Sequence, residues 1–81
     1  MTENELMAEK ERLEKLIPEY EKKIKMGLDM VYSLTERKYL SKTMGIEICR
    51  TVVRIKEDAK MLGGLKNRLI SIEKGYDVYD L

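Results

Sequence analysis

The sequence predicts an all-α fold. A long antiparallel helical hairpin, with helices over about 3–40 and 46–74, dimerises into a helical bundle. Three observations predict it. Two apolar seams run almost the length of the chain and, after Leu13, step by three and four residues, which keeps one side of a helix against a partner. Between them, Ser41-Lys42-Thr43-Met44-Gly45 combines hydroxyl residues and a glycine with a change in the phase of the apolar pattern. Near that turn, apolar residues outnumber what two facing seams can bury. The alternative architecture is a three-helix bundle with breaks near Gly27 and Gly45.

The first helix opens on Thr2-Glu3-Asn4-Glu5, a capping box in which the Thr2 hydroxyl accepts from the Glu5 amide. Glu3, Glu5 and Glu9 suit the positive end of the helix dipole. The seam reads Leu6, Leu13, Ile17, Tyr20, Ile24, Gly27/Leu28, Val31 and Leu34. Pairs at i,i+4 such as Glu11–Lys15 and Glu21–Lys25 are expected on its outer side. Pro18 removes one ladder bond and crowds the carbonyl of Glu14, at about 3 kcal/mol. The seam nevertheless keeps its phase from Ile17 to Tyr20, which favours a continuous, kinked helix. Gly27 follows the basic run Lys22, Lys23, Lys25 and is a possible terminator. Ser33-Leu34-Thr35-Glu36 is a possible restart, but the seam runs through both to Leu34.

The second seam reads Ile48, Val52, Ile55, Ala59, Leu62, Leu65, Leu69, Ile72 and Tyr76, and Gly75 closes the helix just after Lys74. Gly63-Gly64 inside it costs about 2 kcal/mol relative to alanines. A ring lying over this pair would explain the cost, and Tyr20 is placed opposite it if the turn centres near residue 42. Domain organisation is then a single helical domain over 1–75 and a short acidic-aromatic tail over 76–81.

Composition narrows the function. The chain has 81 residues, no histidine and one cysteine, Cys49. Metal sites and an intramolecular disulfide are therefore not expected. Cys49, between Ile48 and Val52/Val53, is read as a buried small hydrophobe. No apolar run approaches the roughly 18 residues of a membrane span. The acidic, polar N-terminus argues against a signal peptide, so a cytoplasmic setting is expected. No catalytic or cofactor motif is present, and the expectation is a non-enzyme without cofactors.

Charge is nearly balanced at +1 but graded along the chain. Residues 1–32 hold eight acids and six bases, whereas residues 40–76 hold eight bases and four acids. The two helices are thus electrostatically complementary. The basic residues Arg50, Arg54 and Arg68 form a possible anion-binding strip for nucleic acid or an anionic nucleotide. Pairing within the helix, Arg50–Glu47 and Arg54–Asp58, is the plainer reading of the same residues.

Ile46, Cys49 and Val53 form a second stripe beside the second seam. With Leu28 and Val31 they are the expected self-association residues, because a two-helix hairpin needs one stripe per helix. Met26 and Met30, one turn apart, and the tail residues Tyr76, Tyr79 and Leu81 are possible partner-binding residues. By elimination, the sequence reads as a protein-interaction module: an adaptor, an assembly factor or an inhibitor of a larger protein, acting as a homo-oligomer.

Overall fold

The computed structural model describes residues 2–75. They form two helices packed side by side, α1 (Glu3–Thr35) and α2 (Lys42–Glu73). The hairpin is a rod of 56 × 19 × 15 Å with a radius of gyration of 17.5 Å, against about 12 Å for a compact chain of this length. The tail over 76–81 lies outside the described residues.

α1 starts as expected: the Thr2 hydroxyl accepts from the Glu5 amide at 3.2 Å. It is continuous through Pro18 and Gly27, and Gly45 lies inside α2. The three-helix alternative is therefore excluded. Pro18 faces solvent, so water can satisfy the Glu14 carbonyl that the missing N–H leaves open, while Leu13, Ile17 and Tyr20 hold the helix to its partner on the other side.

Both helix ends at the turn differ from expectation. α1 stops at Thr35 rather than near residue 40, because the next seam position is Lys38 and packing no longer rewards helix. The Thr35 hydroxyl donates to the Tyr32 carbonyl at 3.0 Å, and the Glu36 amide donates to the same carbonyl at 3.1 Å. Ser33–Glu36 therefore closes a helix instead of starting one. At the other side, Ser41 is a cap: its hydroxyl accepts from the Met44 amide at 3.2 Å, which makes 42–45 the first turn of α2. Gly75 follows the C-cap Lys74 in left-handed backbone (φ 81°) and ends α2 as read from the sequence.

The interface follows a strict alternation of four and three. On α1 it is 6, 10, 13, 17, 20, 24, 27, 31, 34; on α2 it is 44, 48, 51, 55, 58, 62, 65, 69, 72. None of these residues is exposed. Count, rather than hydrophobicity, selects the inward positions of α2. Thr51 and Asp58 face α1, and Val52 and Ala59, expected in the seam, are turned outward. Thr51 is 1% exposed and its hydroxyl donates to the Glu47 carbonyl at 2.9 Å, so burial leaves no unpaired group. Among the described residues only Leu13 and Leu65 are buried apolar side chains, and only Leu13 is fully enclosed.

Tyr20 does not cover Gly63-Gly64. A Cβ on either glycine would meet nothing within 4 Å. Tyr20 instead lies under the Lys23 ammonium, 4.8 Å from its ring centre. The close approach occurs at Gly27, where a Cβ would stand 2.8 Å from Ile55 Cγ1 and 3.1 Å from its Cδ1. Gly27 is thus the waist of the hairpin.

Candidate interaction groove

An antiparallel pair has two edges. Residues just before a seam position on α1 (Glu9, Leu16, Lys23, Met30) share one edge with those just before a seam position on α2 (Glu47, Arg54, Met61, Arg68). Residues just after seam positions share the other. An ion pair crosses each edge: Glu9–Arg68 at 3.5 Å on the first and Glu21–Lys66 at 3.6 Å on the second.

The first edge carries a groove of about 470 Å³ beside the Gly27 waist. Lys23, Met26, Gly27 and Met30 line it from α1, and Thr51, Arg54, Ile55 and Asp58 from α2. It lies where Met26 and Met30 flank the Gly27–Ile55 contact. Its floor is apolar. Lys23 and Arg54 supply positive charge and Asp58 negative charge. Asp58 is half-buried and belongs to no ion pair among the described residues, so the Arg54–Asp58 pair expected one turn apart is not formed. Two bases and one carboxylate beside methionines suit a partner surface that mixes an apolar side chain with an acid.

Of the residues singled out in the sequence, Met26, Met30 and Arg54 meet in this groove. Arg50 lies exposed one turn from Arg54 and forms no ion pair among the described residues; Arg68 is engaged by Glu9. Glu9 also accepts from the Arg12 guanidinium at 2.7 and 3.0 Å. That bond first, aided by the charges of Arg12 and Arg68 and opposed by burial, holds the Glu9 carboxyl below its usual range. The Arg12 guanidinium is raised by the same contact. Among the described residues the remaining intrahelical ion pair within 4 Å is Lys10–Glu14; the expected Glu11–Lys15 pair is absent, and so is Glu21–Lys25, where Glu21 reaches across to Lys66.

The self-association set divides. Val31 is half-buried in the seam, whereas Leu28, Ile46, Cys49 and Val53 are exposed. Cys49 is therefore not the buried hydrophobe the sequence suggested: it falls outside the four–three count. Tyr76, Tyr79 and Leu81 lie outside the described residues. Lys23, Gly27, Thr51, Ile55 and Asp58 were not singled out as site residues. The signal that could have found them is the strict heptad count, which puts Gly27 opposite Ile55 and brings Asp58 inward.

Among the described residues, no three His, Cys, Asp or Glu side chains cluster as metal ligands, and no helix is long and apolar enough to cross a membrane. The chain matches no family model, no curated protein and no solved structure.

Proposed function

We propose that this protein is a small non-enzymatic interaction module, an adaptor, assembly factor or inhibitor of a larger protein, that acts as a homo-oligomer and offers the Gly27 groove to its partner. The observation that carries this reading is the incomplete core. Among the described residues two buried apolar side chains support a 56 Å rod, while Val52, Val53, Ile46, Met61 and Ile70 stay about half exposed or more. Helices of this length are not stable on propensity alone, so an unclosed seam calls for further burial. The chain's exposed area is 6433 Å², about a quarter above the roughly 5,000 Å² of a compact monomer of its mass.

Binding of an anionic nucleotide or nucleic acid is a second reading, favoured by Arg50 and Arg54 on the groove edge, which form no ion pair among the described residues. Quantitative co-precipitation from the native cell, with mass spectrometry of bound protein and nucleic acid, separates the two. A protein partner that survives moderate salt and is lost on Met26→Glu supports the groove. Capture that collapses with salt and with Arg54→Ala supports phosphate contacts. A partner indifferent to both substitutions refutes a role for this edge.

A further inference from the structure

The second edge, opposite the groove, carries its own surface. On α1, Leu28 and Tyr32 lie one turn apart and both are exposed. On α2, Gly45, Cys49, Val52, Lys56, Ala59, Gly63, Lys66 and Ile70 fall on one line, and the first three stand level with Leu28 and Tyr32, near the turn. Ile46 and Val53 border that line on its outer side. We infer that this edge is the docking face for a second copy of the chain, and that the two hairpins lie parallel with their turns at the same end, α1 of each over α2 of the other. The inference rests on the homo-oligomeric reading above and specifies its geometry.

Three observations select this occupant and this orientation. The face measures 56 × 19 Å, roughly 1,000 Å², which is enough for the ~800 Å² per partner of a stable interface. The apolar patch sits at one end of the rod, so two copies bring their patches into register with turns together, and separate them when turns are opposed. The charges agree. The α1 side of the edge carries Glu11, Glu14, Glu21 and one base, Lys25; the α2 side carries Lys42, Lys56, Lys66 and one acid, Glu73. A parallel pair sets the acidic α1 side over the basic α2 side of its partner, whereas an antiparallel pair sets acidic over acidic. The small residues Gly45, Ala59 and Gly63 on the α2 line let the partner's helix approach closely. The groove at Lys23, Met30 and Arg54 faces away, so each dimer presents two copies of it.

The test combines mass with distance. The full chain carrying Cys49→Ala and Lys38→Cys is spin-labelled at the exposed turn, and its mass is measured by light scattering at the concentration of the distance measurement. Packed helices lie about 8–10 Å apart, so the expected result is a dimer with labels within roughly 30 Å, linkers included. A dimer with labels near the 56 Å length of the rod overturns the parallel geometry and leaves self-association standing. A monomer overturns both. On the same background, Val52→Glu is expected to reduce the dimer to monomer with its helical circular dichroism retained; a dimer that survives Val52→Glu excludes this face.

Discussion

Gly27 is the position where one methyl group tests the packing of the whole hairpin. An alanine there places its Cβ 2.8 Å from Ile55 Cγ1, closer than carbon atoms approach without something shifting. The obstructing atom is not a flexible chain end. Ile55 is β-branched, and its χ1 is nearly fixed in a helix. Relief therefore requires an off-rotamer isoleucine or separation of the helices, at about 1–3 kcal/mol. Alanine in place of an interior glycine returns about 1 kcal/mol of helix propensity. The net expectation for Gly27→Ala is destabilisation of up to about 2 kcal/mol. The sign becomes decisive in a double-mutant cycle. In an Ile55→Ala background both obstructing atoms are gone, Thr51 Cγ2 at 3.6 Å is an ordinary contact, and the same substitution stabilises by about 1 kcal/mol. Urea denaturation followed by circular dichroism, at one fixed protein concentration because association contributes to stability, reads the four corners. A coupling energy of about 1–3 kcal/mol is expected. Equal effects of Gly27→Ala in the two backgrounds would refute the close approach and, with it, the waist beside the groove.

Three further outcomes follow from the same geometry. Gly64→Ala, whose new methyl meets nothing within 4 Å and lies off the face assigned to the second copy, should raise stability by about 1 kcal/mol, seen as a rise in melting temperature of about 4–8 °C; a loss would place a neighbour over it. Asp58→Leu puts an apolar side chain at a half-buried seam position, and thermal denaturation should show a gain of roughly 1 kcal/mol while partner capture through the groove falls. Glu9, whose carboxyl is held below its usual range by Arg12, adds stability that is complete above the ordinary glutamate pKa and is lost as pH falls through the lowered one. The difference in melting temperature between the unaltered chain and Glu9→Gln should therefore be largest near neutral pH and close in strong acid; a constant difference would show that the charge contributes nothing.

The hairpin was legible because its information is local and periodic. Thr2 as a cap, the phase kept across Pro18, and Gly75 after Lys74 each act within one helical turn. The site was less legible. Met26, Met30 and Arg54 were singled out separately, from spacing on their own helices, but nothing in either helix alone says that they meet. The error over Val52 and Thr51 has a definite cause. Reading the seam by hydrophobicity follows the most apolar residue at each step, whereas a rigid helix turns at its own pitch and brings inward whatever the count delivers. Thr51 is tolerated because its hydroxyl bonds to Glu47, and Asp58 because the groove beside it keeps its carboxylate half-exposed. Val52 and Cys49 are left outside for the same reason.

What the sequence by itself determined is that this chain forms two long helices, where their outer ends lie, at Thr2 and Gly75, and that each must bury a stripe. These are properties of spacing and of end chemistry. Tertiary structure decided which residues lie in the contact. The approach of two helices depends on which side chains meet across it, and Gly27 against Ile55, about a third of the chain apart, forms the waist beside which the groove lies.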